Sequence, residues 1–218
     1  MSTVAKSIKD ELYNKSGIQT EILNLIDFYL PLRGNMRREG RSRAGSLVIN
    51  ENEENKEEII KEINTINQAT DFDDPKMIDF DLLVKGLRLL KEDRTPFNKP
   101  VYDKFLKIRT LETVTVMPVP VIIVEGALIF CQKDVRSLFD LSVYIDTDDD
   151  VRLSRRVLKN AQEEGPQKQS LSDLLRTYEE KTKPAFEKFI EPTKKYASTI
   201  IPNYGFSTDK LELDKMAI

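Results

Sequence analysis

The stretch that most limits the fold is "VPVIIVEG" at residues 119–126. Val119 and Val121 to Val124 form a nearly continuous β-branched run. A run that does not alternate in polarity suits a strand covered on both faces, as in a parallel sheet. A second apolar run, "LSVYID" (141–146), leads into "TDDDVRLSRRVLKNAQEE", where Thr147 and an acidic first turn announce a helix. "STIIP" at 198–202 supplies a further short strand, and "EILNLI" at 21–26 another. Helical segments recur around them: residues 3–15, the short "VRSLFD", and a long stretch from Leu171 to Tyr196 that Pro184 interrupts or restarts. Alternation of strand and helix through the second half predicts an α/β class with a mainly parallel sheet.

Three segments stand apart from that alternation. "ETVTVM" alternates at period two and predicts a half-exposed strand in an antiparallel ribbon. "DFDDPKMIDFDLLVKGLRLLKED" predicts a loop and then a helix with Leu83, Leu87 and Leu90 on one face. From Arg33 to Gly45 runs a basic loop, "RGNMRREGRSRAG", followed by acidic "NENEENKEE" and an amphipathic helix carrying Ile59, Ile60, Ile63 and Ile66. Without interleaved aromatics this region reads as a solvated insertion rather than a phosphate- or RNA-binding surface.

Composition matters chiefly through what it excludes. The 218 residues fit one ordinary domain, and 34 basic against 37 acidic side chains, a net charge of -3, give no general attraction to nucleic acid or anionic membrane. The most apolar stretch, Val114 to Phe130, is broken by Pro118, Pro120 and Glu125, so it does not predict a membrane span. Cys131 is the single cysteine, which excludes an internal disulfide and points to a reducing compartment, the cytosol. There is no histidine, which removes Ser-His-Asp and Cys-His hydrolysis and His-ligated metal from consideration. Acid–base work falls to carboxylates, lysine or tyrosine.

In open parallel sheets, ligands bind at the carboxyl ends of strands. Glu125 ends "VIIVEG" and Asp146 ends "LSVYID". A carboxylate there suits the magnesium of a bound nucleotide, or equally a cap or turn. Arg152, Arg155 and Arg156 recur at spacings of three and four along the next helix, a geometry that matches phosphate oxygens. The same arginines could instead pair with Asp148, Asp149 and Glu163. Asp27 in "DFY" follows a candidate strand and could accept a proton from a hydroxyl. Asp73 and Asp74 in "DFDDP", and Tyr102 in "VYD", are loop groups able to orient a sugar.

Taken in order, "DFY", "DFDDP…DFDLL", "PVYD", "ETVTV.P…VIIVEG", "VRSLFDLSVYIDTDDDVRLSRRVLK" and "KPAFEKFIEPTKKYASTIIP" closely resemble the uridine-cytidine kinase family of P-loop phosphotransferases. The likeness runs from Ile22 to Pro202, interrupted by the 33–69 insertion. It implies a P-loop NTPase-type three-layer α/β/α fold with a small β-ribbon and a helical lid at about 156–172. It also implies phosphorylation of the 5′-hydroxyl of uridine or cytidine by ATP or GTP with Mg²⁺, in a homo-oligomer; the alternatives are a non-catalytic binding or regulatory subunit in a hetero-oligomer with an active kinase, and a related kinase with a different small-molecule substrate. Residue by residue, Asp73 and Tyr102 resemble nucleoside contacts, Glu125 a magnesium-side carboxylate, and Arg156, with Arg152 one turn earlier, phosphate contacts.

Departures from the family pattern are equally specific. The family's base, an Asp followed by a small polar residue and Phe-Tyr, falls on Ile26, leaving Asp27 as the nearest carboxylate. On a strand a one-residue shift turns the side chain to the other face, so Asp27 substitutes only if the backbone bulges. Lys107 stands at a histidine on the nucleoside side, and Glu164 and Pro166 stand at arginine positions of the lid. The family's phosphate-binding loop, G-x-x-x-x-G-K-S/T, runs directly into the first helix, and here Met1 occupies the position of that lysine. The first strand and the P-loop are therefore expected to be absent from this sequence. Ser2 and Thr3 are left at the helix start as a weak nucleotide site, with Ser2 also on the magnesium side.

Overall fold

The structure, a computed structural model, describes residues 3–31, 61, 63, 65–67, 70–163 and 168–203. In chain order its principal elements are α1 (Thr3–Ser16), β1 (Thr20–Asn24), α2 (Phe80–Lys91), β2 (Phe97–Asp103), β3 (Ile108–Val116), β4 (Val121–Glu125), α3 (Lys133–Arg136), β5 (Val143–Asp146), α4 (Asp149–Gln162), α5 (Leu171–Thr177) and β6 (Thr199–Pro202). The chain divides into two compact units, Glu21–Gly126 and the remainder, Met1–Thr20 with Ala127–Ile218.

In the Glu21–Gly126 unit, β1 pairs with β4, and β2 pairs antiparallel with β3, the ribbon that "ETVTVM" predicts. The ribbon's register slips between Pro100 and Tyr102, a bulge that breaks the strict alternation of β2. Asp79 caps α2 by accepting from the Leu82 N–H at 3.1 Å. The helix then buries Leu83, Leu87 and Leu90, the face its spacing predicts. Gly86 shares that face because a Cβ there would lie 2.5 Å from the Phe97 ring. β1 is shorter than "EILNLI" predicts. Asn24 ends it by accepting the Ile26 N–H, and residues Leu25–Phe28 wind into a 3-10 turn. β4 forms where expected, but all five of its residues are half-buried rather than enclosed. Its one strand partner among the described residues is β1, so one edge of the strand carries no ladder there.

In the other unit, β5 and β6 pair in parallel, with Val143 opposite Thr199 and Asp146 opposite Pro202. α1 ends at Gly17, whose φ of 66° allows its N–H to reach the Tyr13 carbonyl at 2.8 Å while Ile18 reaches Leu12 at 3.2 Å. The Leu171–Tyr196 stretch carries its interruption at the predicted place. The wider π-type turns Tyr178–Thr182 and Phe186–Ile190 flank Pro184, accommodating a ring that has no N–H to donate, and a 3-10 segment, Glu191–Tyr196, finishes it. No helix among the described residues is long and apolar enough to cross a membrane. Most of the 33–69 insertion, with Ile59 and Ile60, lies outside the described residues. Ile63 lies within them, is helical and fully buried, and packs with Ile108, Ile66, Phe72 and Leu106.

Candidate active site

The 3-10 turn Leu25–Phe28 organises one end of the Glu21–Gly126 unit. Side chains on such a turn step round by about 120° per residue, not by the 180° of a strand. Moving a carboxylate from position 26 to 27 therefore rotates it without sending it to the opposite face. Phe28 is fully buried and stacks on Phe97 at 6.4 Å between centroids, with the planes 7° apart. Two residues along β2, Lys99 places its ammonium 2.5 Å from Asp27 Oδ2, with both side chains largely enclosed at 18% and 15% exposure. At the start of the turn, Asn24 faces two ways. Its Oδ1 accepts the Ile26 N–H at 3.0 Å, and its Nδ2 donates to Glu125 Oε1 at 2.9 Å. One amide thus ties the strand-end carboxylate Glu125 to the turn that bears Asp27.

Beyond the turn the backbone is stitched to residues 77–79: Leu30 N–H donates to the Met77 carbonyl at 2.7 Å and Asp79 N–H to the Phe28 carbonyl at 2.8 Å. This brings Tyr29 against Phe72, edge to face at 5.6 Å, and against Tyr102 at 5.4 Å. The Tyr29 hydroxyl donates to the Phe72 carbonyl at 2.8 Å. Burial, reinforced by the carboxylates of Asp73 and Asp71, pushes the Tyr29 phenol up to about 12. Burial first, then Tyr29 and Asp103, raises Tyr102 as well. The Lys107 ammonium sits over Phe72 at 5.8 Å from its centroid. Its backbone is left-handed, φ 54°, where it closes the Asp103–Ile108 turn that Asp103 caps by accepting from Phe105 and Leu106. Asp27, Asp73, Tyr102, Lys107 and Glu125 therefore all belong to one unit. Asn24 and Lys99 are barely visible in the amino-acid order. A polar residue with low strand propensity inside "EILNLI" is a faint signal for the first, and Lys99 has none, since its partner lies 72 residues away.

The remaining candidates lie in the other unit. Thr3 begins α1, and Ser2 lies outside the described residues. Arg152 donates to the Thr147 carbonyl at 2.6 Å, pairs with Asp149, and lies 3.6 Å above the Phe186 ring. These contacts match the ion-pairing alternative for this arginine. Arg155 donates to Asn203 Oδ1 at 3.1 Å. Arg156, one turn beyond Arg152 and half-buried, makes no ion pair among the described residues. Asp146 is held by Lys194 at 2.5 Å, which favours its structural reading over a metal role. The lid positions Glu164 and Pro166 lie outside the described residues.

The described residues contain no cluster of three acidic, cysteine or histidine side chains suited to a metal. Mg²⁺ on a nucleotide needs only one or two protein carboxylates, the other positions being water and phosphate oxygen. Glu125, oriented by Asn24, fits that requirement.

An α/β chain with an antiparallel ribbon and strand-end carboxylates resembles the P-loop phosphotransferase class in fold. The chain belongs to the Phosphoribulokinase / Uridine kinase family, whose model matches residues 32–208. Among its relatives, the uridine kinase of Latilactobacillus sakei subsp. sakei (strain 23K) is 41% identical over 146 residues, covering 67% of each chain. The uridine kinase of Borrelia duttonii (strain Ly) is 40% identical over 140 residues, 64% of this chain and 66% of that one. The chain thus spans about two thirds of the length of these relatives. Solved structures of similar fold include D-glycerate 3-kinase from Cryptococcus neoformans, with TM-score 0.56, 14% identity and coverage of 87% of this chain and 75% of that one. Phosphoribulokinase from Rhodobacter spheroides follows at TM-score 0.52, 10% identity and coverage of 88% and 63%.

Proposed function

We propose that this chain is a uridine kinase-like nucleoside-binding protein that takes uridine or cytidine and presents its 5′-hydroxyl for phosphoryl transfer from ATP or GTP. The observation that carries this reading is the convergence, in one unit, of the Tyr29–Phe72–Tyr102 aromatic cluster with a turn bearing Asp27. Aromatic faces suit a planar pyrimidine. Asp73 and the Tyr102 hydroxyl are polar groups suited to the sugar, and Lys107 supplies a donor over the Phe72 ring. Asp27 is the carboxylate that receives the acceptor hydroxyl's proton. Glu125 is the carboxylate that would hold Mg²⁺, whose chemistry when bound would be to neutralise charge on the transferring phosphoryl group. Within the other unit, Arg156 is the candidate phosphate contact, and Thr3, at the first turn of α1, is a weak anion site. Cytosolic placement rests on a single, unpaired cysteine.

A second reading has a specific observation behind it. The family's base position holds Ile26, and the neighbouring Asp27 is engaged by Lys99. A protein that binds the nucleoside without transferring phosphate, as a regulatory subunit beside an active kinase, accounts for both. Titration calorimetry with uridine and cytidine, followed by a phosphorylation assay with ATP and Mg²⁺, separates the two readings. Binding with turnover supports the kinase, and binding without turnover supports the subunit. Absence of binding by either nucleoside rejects both.

A further inference from the structure

We propose that Lys99 is a positioning residue for the acceptor hydroxyl, acting through Asp27; this rests on the nucleoside-site reading above. Lys99 and Phe97 lie two residues apart on β2 and so project to the same face. Phe97 is fixed by stacking on Phe28, and Lys99 grips Asp27, the residue beside Phe28 on the same turn. Strand and turn therefore meet through two adjacent contacts, one apolar and one ionic.

The ion pair uses Oδ2 alone. Oδ1 of Asp27 takes no hydrogen bond among the described residues, and the carboxylate cannot rotate freely while Oδ2 is held 2.5 Å from the ammonium. A carboxylate with one oxygen anchored and the other open is aimed as an acceptor. Lys99 has no acid other than Asp27 within ion-pair distance among the described residues, so its charge is committed to this orientation. Without it, Asp27 would sit on a short turn with two free torsions.

The test reads the hydroxyl directly and does not depend on turnover. Uridine and 5′-deoxyuridine, which lacks only the 5′-hydroxyl, are titrated into the wild type, Lys99→Met, Lys99→Arg and Asp27→Asn. A hydrogen bond to a charged carboxylate predicts that the wild type prefers uridine by about tenfold or more. In Lys99→Met the preference falls to about twofold or less while 5′-deoxyuridine binds as before, and Lys99→Arg keeps it. Asp27→Asn loses the preference too. If Lys99→Met does not fold, Lys99→Ala, which likewise removes the donor and the charge, gives the same reading. A merely structural role for Lys99 would weaken both ligands together, and that result overturns the proposal. So does a preference that is unchanged or raised in Lys99→Met, the latter meaning that the ion pair withholds Asp27. A wild type that binds neither ligand instead rejects the nucleoside site itself, and the assignment falls with it.

Discussion

Tyr29 joins three roles in one side chain: it packs on Phe72 and Tyr102, donates to the Phe72 carbonyl, and is held neutral by burial. Its folded pKa lies above the ordinary value of 10.0, at about 12, so the folded state binds this proton more tightly than the unfolded chain. The stabilisation is fully present below pH 10 and is lost as pH rises towards 12, by about 2–3 kcal/mol from this group. Tyr102 acts in the same direction. Urea unfolding between pH 9 and about 11.5 should show stability falling with pH, and Tyr29→Phe should flatten that fall. Asp27, Asp73 and Tyr102 could be picked out from sequence because short motifs mark them, whereas Tyr29 became a candidate only through its contacts with Phe72 and Tyr102. Lys99 and Asn24 could not be picked out, because each acts through a carboxylate brought to it by folding: Asp27 for Lys99 and Glu125 for Asn24.

At the scale of elements, the 3-10 turn after β1 decides how the candidate base is presented. It also forces a close approach. Gly126 has φ 156°, and a Cβ there would meet the Leu25 side chain. The glycine after Glu125 is thus explained by packing against the turn, whatever role the carboxylate plays. Gly86 is constrained in the same way by Phe97. Gly86→Ala should destabilise the protein by about 1–3 kcal/mol through overpacking, despite alanine's better helix propensity, and a lowered urea midpoint at unchanged slope would show it. Phe28→Ala, which empties a fully buried ring site, should cost about 3–5 kcal/mol by the same measurement. Period-two alternation identified β3, and helical spacing identified the buried face of α2, since those patterns are local. The end of β1 at Asn24 was not legible, because a cap is chosen by a hydrogen bond that no periodicity records.

Across the whole molecule, the nucleoside-side candidates fall in Glu21–Gly126, while Thr3, Arg152 and Arg156 fall in the other unit. Uridine at about 100 times its Kd should raise the unfolding free energy by about 2.7 kcal/mol, read as an increase in thermal midpoint. Amides around Tyr29 and Tyr102 should gain exchange protection ahead of those near Arg156. Sequence by itself determined the family, the α/β class, the ribbon and the identity of the acidic and aromatic candidates, because these are carried by residue order and local period. Tertiary structure alone decided that Asp27 sits on a 3-10 turn gripped by Lys99, that Asn24 joins this turn to Glu125, and that Arg152 is occupied by Asp149 and Phe186. Most of these contacts join segments far apart in the chain, and the rest depend on which competing partner a side chain meets, so their geometry exists only once packing has brought the groups together.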